Sequence, residues 1–202
     1  ISGETMRAIW AAALLFAFTG AASAQVSEST RASNAAFSQR LPWGDREDED
    51  FANRGFVAAY DQPQIRTADN SRVVWDFTAY DFLHGDAPDT VNPSLWRQGQ
   101  LCASGGLFKV TDRLYQVRNL DVSNLTIIEG DTGLIVVDPL ISAETAKAAM
   151  ELYFEHRPEK PVIAVIHSHS HVDHYGGVKG VVDEADVEAG KVRIIAPEGF
   201  LE

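Results

Sequence analysis

The sequence predicts an α/β fold, and three observations carry that reading. Residues 161–166, Pro-Val-Ile-Ala-Val-Ile, form a short β-branched apolar run of the kind that makes a buried strand. Upstream of it, apolar segments of four or five residues alternate with Gly- and Asp-containing turns, the pattern of successive hairpins. Between the two, Ala146, Ala149, Met150 and Tyr153 recur at helical spacing behind Ser142, a good N-cap, and Arg157-Pro158 closes the stretch.

Taken in order, Met6-Arg7 opens a short basic region, residues 8–18 are apolar, and Ala22-Ser23-Ala24 is a small-residue cleavage site before Gln25. Residues 1–24 therefore read as a few upstream residues and a secretory signal peptide, too short for a permanent membrane span. The mature protein is expected outside the cytoplasm, secreted or in a bacterial periplasm, with no stable membrane anchor. Residues 25–40, rich in Ser, Ala, Asn and Gln, show no apolar period and read as a flexible arm. The acidic run Asp45-Arg46-Glu47-Asp48-Glu49-Asp50 suits a solvated helix start, where the helix dipole favours negative charge, better than a calcium loop. Residues 72–80 alternate like a strand, with Val73, Trp75, Phe77 and Ala79 on one face. Asn92-Pro93 opens a short helix through residues 94–98, with Pro at its first position, and Gly105-Gly106 ends it.

From there the pattern turns to strands. Residues 107–110 and 114–118 flank a turn at Thr111-Asp112-Arg113, and residues 125–129 pair with 134–137 across Gly130-Asp131-Thr132-Gly133. The Ser142 helix, the strand at 161–166, a short helix over 176–182 and a last strand over 192–195 complete the chain. The expected division is residues 1–24 as leader, 25–100 as an N-terminal extension, and 101–202 as the catalytic-type domain.

Composition narrows the function classes. The chain is 45% hydrophobic and 23% charged, a globular balance, and its formal net charge is -12 with no basic stripe, which argues against nucleic acid as a partner. Cys102 is the only cysteine, so a cysteine-based zinc or redox site and an internal disulfide are both excluded within the chain; a small buried apolar role is expected for it. His84 and His156 read as surface or capping residues, and Trp43, Trp75 and Trp96 as packing.

The chemistry concentrates at His167-Ser168-His169-Ser170-His171-Val172-Asp173-His174-Tyr175-Gly176-Gly177, four imidazoles and a carboxylate within eight residues. Zinc takes neutral imidazole nitrogen and carboxylate oxygen. The strand at 161–166 delivers the run to the carboxyl edge of a sheet, where open α/β folds place their sites. His169 and His171, two apart, project to one side of extended backbone and can pinch one ion; Asp173 and His174 need a tight turn to converge and suit a second. Gly176-Gly177 can supply a close backbone approach or an unusual dihedral. His167 reads as a spectator at the strand end.

At these residues the chain resembles the metallo-β-lactamase superfamily, whose signature is T-H-x-H-x-D-H-x-G-G, with Ser168 where Thr is usual. The resemblance implies that His169 and His171 hold the first zinc, that Asp173 and His174 belong to the second, and that Asp138, at the end of the strand over 134–138, supports and orients ligands from behind. It implies the N-terminal half of an αββα sandwich, preceded by the extension. The sequence words over residues 87–98, 106–112, 123–126, 138–140 and 142–146 are similar to the linear primary alkylsulfatase family, from about Trp75 onward. That implies a small-molecule alkyl sulfate substrate, two Zn2+ per complete active site, and a water oriented by Asp173 as the catalytic group. In that family the N-terminal region joins dimers, so a homodimer is expected by analogy.

Two zinc ions need more donors than His169, His171, Asp173 and His174 provide, and no histidine follows His174. The chain is therefore expected to be a truncated half of its sandwich, binding zinc weakly and inactive alone. Another hydrolase of the same fold, a lactonase or β-lactamase, and a degenerate non-catalytic fragment are the alternatives.

Overall fold

The structure, a computed structural model, describes residues 26–201; the expected signal peptide lies outside the described residues. The first described element is a helix, α1 (Glu28–Ser38), where a flexible arm was expected. None of its residues is buried. Polar contacts hold it instead: the Ser27 side chain accepts from the Thr30 amide at 3.0 Å, Arg31 Nε donates to Asp89 at 2.7 Å, and Asn34 donates to the Asp89 carbonyl at 2.8 Å. Such anchors leave no apolar period in the sequence.

The acidic run forms α2 (Glu47–Asn53) with Glu47, Asp48, Glu49 and Asp50 in its first turn. After β1 (Phe56–Ala58), the strands β2 (Gln64–Arg66) and β3 (Val73–Asp76) make a separate antiparallel pair. The alternation expected through Tyr80 stops at Asp76, whose carboxylate accepts from the Thr78 amide at 3.0 Å and its hydroxyl at 2.6 Å and so starts a 3-10 turn over Phe77–Tyr80. Next, α3 (Pro93–Cys102) is capped by Asn92 and runs one turn further than its sequence suggests. Cys102 is exposed, not buried: it shares the outer face of the helix with Gln98, which donates to its sulfur at 3.3 Å, while Trp96 takes the inner face.

The hairpin strands stand where the turns predict them: β4 (Gly106–Thr111), β5 (Leu114–Arg118), β6 (Leu125–Glu129) and β7 (Leu134–Val137). They pair antiparallel in sequence order, and β1 adds to the free side of β4. After β7 the chain crosses through α4 (Ala143–His156) to β8 (Val162–Ile166), which pairs parallel to β7. The short α5 (Glu184–Glu188) leads to β9 (Arg193–Ile195), parallel to β8. The expected helix over 176–182 is a 3-10 turn at Val178–Gly180, and the α-helix comes later.

Burial explains the layering. In β5, β6 and β7 every second residue is buried, and Tyr115, Val117, Leu125, Ile127, Leu134 and Val136 face Ala146, Ala149, Met150 and Tyr153 of α4. The Ser142 cap forms as a full box with Thr145, and the stripe on α4 is the one its spacing predicts. The other sheet face is only half-covered; on β8, Ala164 and Val165 are buried but Ile163 is exposed, so this strand is not enclosed on both sides. Among the described residues no helix is long and apolar enough to cross a membrane.

Candidate metal centre

The histidine run sits beyond the carboxyl end of β8, beside the carboxyl end of β7. Parallel pairing continues past both strands, with the Asp138 amide donating to the Ile166 carbonyl at 2.9 Å, so Asp138 and the loop after Ile166 are side by side. Asp138 takes a left-handed backbone (φ 55°), as does Leu140 (φ 65°). That turn aims the Asp138 carboxylate at the loop. One of its oxygens accepts from the Ser168 amide at 2.8 Å; the other accepts from the Ser168 hydroxyl at 2.7 Å and from His174 Nδ1 at 2.9 Å. Burial would raise the Asp138 pKa, but the bonds from Ser168 and His174 prevail and hold it below the usual carboxylate range.

These bonds settle the tautomers. An ionised carboxylate only accepts, so His174 carries a proton on Nδ1, and in the neutral ring the Nε2 lone pair is free. Ser168 has one hydroxyl proton, committed to Asp138, so its contact with His169 Nδ1 at 2.9 Å requires that ring nitrogen to donate. His169 likewise keeps Nε2 free. The ring of His169 lies 4.7 Å from that of His171 and 4.1 Å from that of His174, centroid to centroid, and His174 Nε2 stands 3.1 Å from Asp173 Oδ2. All four residues named from the sequence are thus drawn together, with Asp138 behind them. His167 stands apart: it is buried, donates from Nδ1 to the His174 carbonyl at 3.1 Å and stacks on Phe200 at 5.5 Å. His84 and His156 are exposed, and Trp96 packs in the interior with its indole donating to the Gly85 carbonyl.

The glycines act by close approach. A Cβ on Gly177 would stand 2.0 Å from the Pro139 carbonyl oxygen, one on Gly176 2.3 Å from that of Ile141, and one on Gly180 2.0 Å from that of Ala143. Residues 176–180 therefore lie backbone to backbone against residues 139–143, with the Gly177 amide donating to the Leu140 carbonyl at 2.9 Å. Neither Gly176 nor Gly177 has a positive φ, so the unusual dihedral is not what they provide. A third support has no sequence signature. Asp121, buried between β5 and β6, accepts from the Ser123 amide at 3.0 Å, the Ile141 amide at 3.0 Å and the Thr145 hydroxyl at 2.7 Å, and the Ser123 hydroxyl donates to the Asp173 carbonyl.

Residues 118–202, which hold this whole arrangement, match the metallo-beta-lactamase superfamily. This C-terminal part of the chain belongs to that superfamily. Within it, the chain is 57% identical over 177 residues to a linear primary-alkylsulfatase of Pseudomonas sp., covering 87% of this chain and 26% of that protein. It is 56% identical over 174 residues to an (R)-specific secondary-alkylsulfatase of Pseudomonas sp., covering 86% and 26%. The solved stereoselective inverting sec-alkylsulfatase Pisa1 from Pseudomonas sp. superposes with a TM-score of 0.81 at 56% identity, over 87% of this chain and 27% of that one. The chain thus spans about a quarter of the length of the relatives it matches.

Superfamily membership implies divalent metal binding, and the donors can be tested against it. His174 Nε2 faces Asp173 Oδ2 at 3.1 Å, an ion pair when the ring is protonated and two facing acceptors when it is neutral. Donors bound to one zinc at about 2.0–2.1 Å sit about 3.3 Å apart, so this spacing is that of two ligands sharing an ion. Among the described residues, however, no three His, Cys, Asp or Glu side chains already stand in coordinating geometry. The residues fit a divalent ion in donor type and in the Asp173–His174 spacing, and among the described residues no third donor completes its shell.

Proposed function

We propose that the polypeptide carrying this chain is a zinc-dependent alkylsulfatase, hydrolysing alkyl sulfate esters to the alcohol and inorganic sulfate. In this reading His169 and His171 are donors to one zinc, and Asp173 and His174 to a second. Two zinc ions, when bound, supply a water acidified to neutral pH and offset the negative charge of the sulfate head, which otherwise repels a nucleophile. The protein's residues prepare for that chemistry. Asp138 fixes the proton of His174 on Nδ1 and Ser168 fixes that of His169, so both Nε2 lone pairs are ready to ligate. Asp173 offers one carboxylate oxygen beside His174 and orients the attacking water with the other.

The observation that carries the substrate class is the 57% identity over 87% of the chain, which reaches well upstream of the metal loop shared by the whole superfamily. The matching 56% identity to a secondary-alkylsulfatase keeps both primary and secondary alkyl sulfates within the proposed substrate class. Export belongs to the same proposal, supported by the basic, apolar and small-residue succession over residues 6–24. Sulfate release from dodecyl sulfate by the full-length polypeptide tests it. Release should stop on chelation and return with zinc; opening of a chromogenic lactam without any sulfate release would overturn it.

A further inference from the structure

Asp121 is 4% exposed, and among the described residues no cation pairs with it. Its carboxylate is satisfied by three neutral donors, one each from its own loop, from the turn after β7 and from the first turn of α4. A buried carboxylate held this way is costly, and an apolar residue would serve packing better. What it secures is the position of Ser123. That serine, also buried, reaches fifty residues along the chain to donate its hydroxyl to the Asp173 carbonyl. No backbone amide among the described residues donates to that carbonyl, because the 3-10 turn of Val172–His174 directs its bonds to His171 and Val172 instead.

We infer that Asp121 and Ser123 are positioning residues for Asp173, an inference that rests on the reading of Asp173 as a metal donor. Asp173 and His174 are neighbours across one peptide, held from two sides. Asp138 grips the His174 ring, and Ser123 grips the Asp173 carbonyl. With both in place the peptide between them cannot rotate, and the two side chains leave it on the same side, as their 3.1 Å contact requires. Asp121 acts one step further back, by tying the Ser123 loop to the turn that carries Asp138.

The test uses the full-length polypeptide and reads metal, not turnover. Zinc affinity by competition with a chromogenic chelator, the visible absorption of the cobalt-substituted protein and the metal-free melting temperature are measured for Ser123→Ala, Ser123→Thr, Asp121→Asn and Asp173→Ala. Ser123→Ala should weaken the more loosely held zinc about ten-fold, the lower end of what loss of an outer-shell partner costs. Its cobalt bands should shift with at most a small fall in the metal-free melting temperature, and Ser123→Thr, which keeps the hydroxyl, should remain close to the parent. Parental affinity and cobalt bands in Ser123→Ala, with Asp173→Ala impaired, would overturn the positioning role and leave the metal site standing. A fall in metal-free stability with unchanged cobalt bands would overturn it equally. Parental affinity in Asp173→Ala would remove the site reading and this inference together. Should Asp121→Asn fail to fold, Ser123→Ala decides alone.

Discussion

Asp138 carries three hydrogen bonds on one carboxylate, and two of them decide which nitrogen of His174 and His169 is free. Replacing it with alanine should therefore scramble the tautomers while leaving every proposed zinc donor in place. We expect Asp138→Ala to weaken zinc binding by roughly 10–100-fold in a chelator competition, in line with other partners of ligating histidines. At this scale the sequence is legible where chemistry imposes a spacing. His169, His171, Asp173 and His174 announce themselves, because few other uses place three imidazoles and a carboxylate so close together. Asp121 does not, since a carboxylate that serves through backbone amides and a distant hydroxyl obeys no fixed interval. Cys102 misleads for a related reason: burial preference is a property of residue types, and the face of a helix overrides it.

The elements that sequence reasoning places well are those whose period has one cause. Strands β5, β6 and β7 bury one face against α4, so their alternation is visible in the sequence, as is the stripe on α4. Helix α1 buries nothing and is held by Arg31, Asn34 and a cap, so composition gives no sign of it. The segment after His174 is helical in pattern but forms only a 3-10 turn, with Gly176 and Gly177 pressed against the turn after β7 and Gly180 against the start of α4. Gly177→Ala probes that joint: its methyl group would meet the backbone oxygens of Pro139 and Ser142, at 2.0 and 2.6 Å, and backbone yields less readily than a flexible side chain. Overpacking of this kind costs about 1–3 kcal/mol or more, read as a lower melting temperature together with weaker zinc binding.

At the scale of the whole molecule, one ionic cluster ties the far end of α4 to the sheet. Glu129 accepts from Arg157 Nε at 2.7 Å, Arg157 Nη2 at 3.0 Å and the Tyr153 hydroxyl at 2.7 Å. The Arg157 guanidinium holds the Glu129 carboxyl below its ordinary range, against the opposing effect of burial. A carboxyl depressed in the fold stabilises at neutral pH, and that contribution fades as pH drops from the ordinary glutamate value, about 4.3, through the lower folded one. Glu129→Gln should lower stability by about 2 kcal/mol at pH 7 and by less at pH 3, measured by denaturant unfolding at both.

The mixed sheet also predicts an order of assembly. Strands β4 to β7 join through short turns between sequence neighbours, contacts that close quickly and can form while later residues are still being synthesised. The parallel pairings of β7 with β8 and β8 with β9 each wait for a long crossover to return, and the histidine loop lies between those two slow steps. The donors then arrive beside hairpins that already stand, so an ion bound there would tie the crossover strands to a scaffold formed before them.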